Sequence, residues 1–324
     1  MRSNRYHAAL FWLAIATAVT ALLPIAVGSL VTTLDAGMAF NDWPTSDGQG
    51  MLSYPWLRSA GDKFVEHGHR LAGMLIGCMS IVFAASVWLL ESRRWVRWCA
   101  LGVLLAVIVQ GLLGGGRVLA DERLYAMFHG ALAAAVFAFM SSMALVLSRT
   151  WIDPPPLASA SGPTNATPTS VRVLTVATPI VILVQYSLGG LVRHLGRALY
   201  EHVGTAMVVL VVVAATVIAV SRTRCGWLRR PAYLMGLVAL AQVLLGGGAW
   251  LTKYGFAPLG YVAVQRTLMQ TVVRTSHTVV GMLLLMTSVI LLIRVLRIAS
   301  TQRTVPRPIE IPISPLTAGL KGAS

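Results

Sequence analysis

The chain has 324 residues, of which 56% are hydrophobic and only 11% charged, with a mean hydropathy of +0.73. Soluble domains carry roughly a quarter charged residues, so this composition excludes one and defines an integral membrane protein. The formal net charge of +15 does not indicate nucleic acid, because no basic stripe with interleaved aromatics accompanies it; it matches membrane topology and anionic lipid headgroups instead.

Apolar runs of about 20 residues, the length that spans hydrocarbon as a helix, lie at residues 10–31, 69–90, 96–116, 126–148, 172–192, 202–221, 231–250 and 276–297. They predict an all-α membrane protein with eight transmembrane helices as two pseudo-symmetric four-helix bundles. Arg2 and Arg5 before the first run are a signal-peptide feature, but the run is too long for one and ends in a motif that later spans repeat. Arg93, Arg94, Arg97, Arg149, Arg172, Arg222, Arg229, Arg230, Arg294 and Arg297 fall at the termini or in even-numbered loops, which puts both termini in the cytoplasm. Asp35, Asp42, Asp47, Asp62, Glu66, Asp121, Glu122 and Glu201 gather on the outer side. Cys78, Cys99 and Cys225 are placed for no structural disulfide.

The first span ends in Pro24-Ile25-Ala26-Val27-Gly28-Ser29, a degenerate form of a motif that the third, fifth and seventh spans carry in full. A long outer loop leads to Glu66-His67-Gly68-His69-Arg70-Leu71-Ala72-Gly73, where a carboxylate, imidazoles and a guanidinium meet hydrocarbon; ionisable groups there are costly and mark function by default. Glu66, His69 and Gly73 share one helical face, and a flat macrocycle ligated by His69 would lie over Gly73. His67 points about 200° away from His69 around the helix and is read, with His7 and His194, as a bystander.

The third span carries Gln110-Gly111-Leu112-Leu113-Gly114-Gly115 and then Arg117, and the fourth opens with His129. Residues 151–170, rich in Pro, Ser and Thr, form a cytoplasmic linker between an N-terminal half (1–150) and a C-terminal half (171–300). The fifth span repeats the motif as Gln185-Tyr186-Ser187-Leu188-Gly189-Gly190, followed by Arg193. The sixth opens with His202, and the seventh carries Gln242-Val243-Leu244-Leu245-Gly246-Gly247. A second long outer loop, Arg274 and then His277 begin the eighth, and residues 301–324 are a cytoplasmic tail. Q-x-x-L-G-G reads first as helix packing, its small residues admitting close backbones.

His69, His129, His202 and His277 stand at one depth, each with a small residue four positions on: Gly73, Ala133, Ala206 and Gly281. Facing histidines in a helical bundle hold haem. Zinc would require a third or fourth ligand, which only the first half offers, as Glu66. Arg70, Arg117, Arg193 and Arg274 lie near that depth, suited to haem propionates or to positioning, or to interfacial snorkelling.

These residues resemble the haem A synthases, eight-helix membrane enzymes. The marks are Glu66-x-x-His69-Arg70 with Gly73, the repeated Q-x-x-L-G-G, Asp42-Trp43-Pro44 in the first outer loop, Leu191-Val192-Arg193-His194, and the four histidines. The resemblance implies oxidation of a haem O methyl to a formyl by successive hydroxylations, giving haem A for terminal oxidases. It implies that His69 and His129 flank the substrate haem, that His202 and His277 hold a haem B, and that Glu66 is catalytic. It further implies a bacterial inner-membrane location with the haem ligands near the outer side. The implied partners are a haem O synthase (farnesyltransferase) and an electron donor such as quinol or ferredoxin. Many bacterial relatives carry a cysteine pair in the first outer loop; this chain has none, Ser46 standing near one such position. Two rivals fit the composition: a dihaem b-type cytochrome moving electrons between a quinone and a partner, and a repeat-built transporter with a histidine relay.

Overall fold

A computed structural model describes residues 6–153, 168–223 and 225–303. The linker expected at 151–170 is therefore described only at its ends, and the tail beyond 303 lies outside the described residues. The eight long helices are α1 (Ala8–Leu34), α2 (Gly61–Leu90), α3 (Arg94–Ala120), α4 (Arg123–Leu147), α5 (Thr169–Leu195), α6 (Leu199–Ser221), α7 (Gly226–Tyr254) and α8 (Leu268–Arg303). All are long and apolar enough to cross a membrane, and helices are the natural answer there because hydrocarbon offers backbone groups no other partner.

Most helices extend beyond the apolar runs. α2 starts at Gly61, so Glu66 and His69 stand inside the helix and not at its mouth. Asp62 in the first turn suits the positive helix end, and nothing between it and His69 breaks a helix. α5 likewise runs through Arg193 and His194 to Leu195 and closes on Gly196 at φ 66°, a left-handed cap that glycine adopts freely.

α1, α2, α3 and α4 pack in sequence and α4 returns to α1; α5, α6, α7 and α8 do the same, with α8 returning to α5. The two rings meet where α4 and α1 pack on α8 and α4 packs on α5. Small buried residues such as Ala14, Ala100, Ala134 and Ala232 let the backbones approach, so packing contacts supply the association that hydrophobicity cannot supply in lipid. Hydroxyls within the spans bond their own helix, as Thr17 does to the Leu13 carbonyl (2.8 Å) and Ser142 to that of Ala138 (2.7 Å).

The turns at the end opposite the histidines are fastened differently. Between α2 and α3, the buried Glu91 accepts Arg93 Nη2 at 2.8 Å, and Arg93 Nη1 reaches the Val146 carbonyl of α4 at 3.2 Å. Burial opposes the Glu91 charge, but Arg93 and the backbone N–H groups beside it hold the carboxyl below the usual glutamate range. Between α6 and α7, Arg294 of α8 donates to the Trp227 carbonyl at 2.7 Å and lies over the Trp227 ring.

Candidate functional site: two histidine pairs on one cavity

Each of the four histidines leaves its helix toward a glycine of the preceding helix. A Cβ would stand 2.6 Å from the His69 ring at Gly28, 2.9 Å from His129 at Gly114, 3.0 Å from His202 at Gly189 and 3.1 Å from His277 at Gly246. The repeated glycine is therefore a seat for an imidazole as well as a packing residue. At three of the four a glutamine four positions earlier, one helical turn away on the same face, completes the seat, while at Gly28 that position is Pro24. Gln110 Nε2 lies 3.1 Å from His129 Nδ1 and donates to the His129 carbonyl at 2.8 Å, and Gln185 repeats both distances at His202. The Gln185 carbonyl is 3.2 Å from His202 Nδ1, so a proton on Nδ1 leaves Nε2 with its lone pair free for a ligand. Gln242 differs: its Nε2 lies 3.5 Å from His277 Nε2 and not Nδ1.

Seated this way, the rings form two pairs. His69 and His129 have centroids 6.3 Å apart with planes at 88°; His202 and His277 also stand 6.3 Å apart, at 89°. Two imidazoles sharing a metal at ~2 Å from each nitrogen have centroids about 6 Å apart. Both pairs line one cavity of about 1030 Å³, as do Gly73, Ala133, Ala206 and Gly281. A Cβ on Gly73 would meet nothing within 4 Å, so the slot inferred beside His69 is open. Among the described residues, no group of three or more His, Cys, Asp or Glu side chains could hold a bare metal ion, which leaves each site with two imidazoles and disfavours zinc.

Glu66 is the acid among the cavity-lining residues described. Its side chain is almost wholly buried, with Oε1 2.7 Å from Arg70 Nη2 and Oε2 accepting the Ala39 N–H at 2.7 Å. The second of those bonds comes from the first loop, residues 35–60. Arg70 Nη1 binds the same loop through the Asp42 and Thr45 carbonyls at 2.9 and 2.6 Å. Arg70 thereby orients both the acid and the loop above it. Asp42 turns the loop by accepting the N–H groups of Asp47 and Gly48; slight burial opposes its charge, but these bonds and the Thr45 hydroxyl hold its carboxyl below the usual aspartate range. Trp43 lines the cavity, its ring packed so tightly on Gly115 that a Cβ there has no room.

His67 does more than its bystander reading allows. Fully buried, it bonds Ser46 Oγ at 2.9 Å and the Met51 carbonyl at 3.1 Å, pinning the loop from the helix face opposite His69. The signal is the spacing itself: two residues before His69 is the side that meets the loop. His194 lines the cavity without a role in either pair. Arg117 also lines it, its guanidinium filling the space over Gly37, and Arg274 lines it on the α8 side. Arg193 bonds Ser29 and Thr33 of α1 and Thr278 of α8, a connection across both rings of helices with no local sequence signature.

Fold and cavity together define a class: an all-helical integral membrane protein that presents two right-angled histidine pairs to one internal space. Residues 56–203, which include Glu66, His69, Arg70, Arg117, His129, Arg193 and His202, match the family model described as "Cytochrome oxidase assembly protein". Among known relatives, a haem A synthase of Symbiobacterium thermophilum is 30% identical over 195 residues, covering 57% of this chain and 60% of that protein. Haem A synthases of Rhizobium etli (33% over 140 residues; 39% and 37% covered) and Rhizobium rhizogenes (34% over 149 residues; 42% and 38% covered) are also similar. Over these stretches the chain is similar to the haem A synthases. The matched stretches span between 37% and 60% of these three relatives' lengths.

Proposed function

We propose that the protein is a haem A synthase, oxidising a methyl group of haem O to a formyl group by successive hydroxylations. The observation that carries this reading is that two equivalent histidine pairs line one cavity while a carboxylate, Glu66, lies beside only one of them. A protein that merely passed electrons between two haems would have no use for that asymmetry. His69 and His129 would flank the substrate haem, and His202 and His277 would hold a resident haem B, whose chemistry when bound is electron transfer. The seats fit such groups: the rings have the spacing of a shared metal, and Gly73 faces open space.

The chain's own part in the reaction centres on Glu66. Arg70 and the Ala39 N–H fix both carboxylate oxygens, so Glu66 acts as a stationary carboxylate, its charge partly balanced by Arg70, at the rim of the substrate, placed to stabilise positive charge that develops at the reacting methyl carbon. Of the two roles its position allows, charge stabilisation and proton acceptance, this geometry favours the first. Arg117 and Arg274 provide cations for carboxylate groups entering the cavity, while Arg193, held by Ser29, Thr33 and Thr278, has a positioning role. The halves 1–150 and 171–300 act as internal repeats, joined by the 151–170 linker. The Lys and Arg distribution supports a reading with both termini on the cytoplasmic side, the membrane being a bacterial inner membrane and the histidines lying near its outer face. A haem O synthase and a quinol or ferredoxin donor are the partners this activity calls for.

The test is to express the protein with and without a haem O source and to identify extracted haems by chromatography with mass detection. Haem A or its hydroxylated precursor beside haem B is the expected result. Haem B alone under both conditions returns the protein to the electron-carrier reading. Glu66→Gln should keep both haems and lower haem A formation by about 100-fold or more, the scale of one preorganised charge or general acid–base group.

A further inference from the structure

Arg193 stands in the last turn of α5, yet its hydrogen bonds leave the α5–α6 hairpin entirely. Nη1 donates to the Thr278 hydroxyl at 2.8 Å; Nη2 donates to the Ser29 carbonyl at 2.5 Å, the Ser29 hydroxyl at 3.2 Å and the Thr33 hydroxyl at 2.8 Å. Thr278 follows His277, and Ser29 follows Gly28, the seat of His69. Thr275 adds a direct bond from α8 to Thr33 at 3.3 Å. One guanidinium therefore touches the residue after His277 and the residue after Gly28, the glycine that seats His69, and it lines the cavity that both pairs line.

Its partners are all neutral. Among the described residues the ion pairs are Lys63 with Asp47, Arg70 with Glu66 and Arg93 with Glu91, so Arg193 is in none. A bare strut between helices needs no charge: the Thr178–Thr216 hydroxyl pair joins α5 to α6 at 2.8 Å without one. A guanidinium stays protonated in proteins, and a cation inside a membrane span is costly enough to require a use.

We propose that Arg193 is a positioning residue that locks the His277 turn of α8 to the Ser29 turn of α1 and holds a fixed positive charge between the two histidine pairs, favouring the reduced form of the iron porphyrin bound by His202 and His277. The inference rests on the proposed haem binding. A fixed cation stabilises whichever oxidation state carries less positive charge, and local net charge is one of the protein's levers on a haem potential. Hydroxyl partners orient the guanidinium without neutralising it, which an aspartate or glutamate in their place would do.

The full-length protein, produced without a haem O source so that haem B is the haem present, is titrated potentiometrically in detergent with optical detection, as wild type, Arg193→Gln, Arg193→Lys and Thr33→Val. The Gln variant should show a midpoint shifted to lower potential, the Lys variant should stay close to wild type, and Thr33→Val should keep the midpoint while lowering the melting temperature. An unchanged midpoint in the Gln variant, or equal shifts in Gln and Lys, overturns the proposal. If the Gln variant does not accumulate, the Lys variant decides: a wild-type midpoint supports the fixed charge and a fall overturns it. A wild-type protein lacking a six-coordinate bis-histidine spectrum refutes the haem reading itself, a result separate from any of these shifts.

Discussion

The two halves share a seat and differ in what surrounds it. In both, a pair of imidazoles stands 6.3 Å apart at a right angle, backed by bare glycines. Three residues before His69 is Glu66; three residues before His277 is Arg274. The first half adds an acid gripped by Arg70 and a folded loop that brings Trp43 to the cavity; the second adds Arg193 with its ring of hydroxyls. The second long loop, 255–267, is pinned by Gln270, which bonds the Thr252 carbonyl and the Arg266 N–H, and among the described residues it makes no ion pair. Paired-ring geometry is thus common to the halves, while the sign of the charge one turn before the second histidine differs, and on the proposed function that difference would separate a place for chemistry from a place for a resident cofactor.

That contrast can be broken most severely at the ligands. His277→Ala should remove the haem held by the second pair and leave the first pair's site loadable, whereas His69→Ala should do the reverse; haem extracted per protein, with and without a haem O source, reads the difference. If either variant loses both haems in a protein that still folds, the two seats are not independent.

The glycine seats give a graded effect. Alanine should disturb haem retention most at Gly28 and least at Gly246, in the order of the clearances of 2.6, 2.9, 3.0 and 3.1 Å; Soret spectra of the four variants establish the order. Gln110→Leu and Gln185→Leu should each cost about 1 kcal/mol, the scale of a hydrogen bond between helices in a membrane, seen as faster haem loss on dilution. Gln242→Leu, acting at 3.5 Å, should cost less.

The smallest effect separates the opposite ends of the halves. The Glu91 carboxyl is held below its ordinary range when folded, so its contribution is present above the unfolded glutamate range and is lost as pH falls through the folded value. The α6–α7 turn, fastened by Arg294 to a carbonyl and a ring, has no such dependence. Melting temperature against pH should therefore fall at acid pH in the wild type and fall less in Glu91→Gln.

Much of this arrangement is legible in the sequence. The eight spans announce themselves by length and hydropathy, and the four histidines by a shared depth and a small residue one turn on, although the gap that residue suggests is open at Gly73 and filled by Gln242 and Tyr186 at Gly281. Q-x-x-L-G-G is visible but reads as packing, because a sequence shows that a glycine removes a side chain without showing whose ring takes the space. Hydropathy places helix starts late, since Asp62 and Lys63 end an apolar run without ending a helix. Arg70 and Arg193 are recognisable as cations at the right depth, but their targets are not: the carbonyls of a loop in one case and the hydroxyls of α1 and α8 in the other. His67 reads as a bystander because a ligand's neighbour faces away from the ligand's site, and facing away is what carries it to the loop.

The bond from the Ala39 N–H to Glu66 makes the loop and the acid an interlock. The first loop cannot lift from α2 at that point without stripping the carboxylate of one of its two donors, and Arg70 cannot follow the loop through its Asp42 and Thr45 carbonyls without loosening the other. The seating of this loop and the hold on Glu66 are therefore set by the same few bonds, so a variant with a looser loop would inherit a differently held acid.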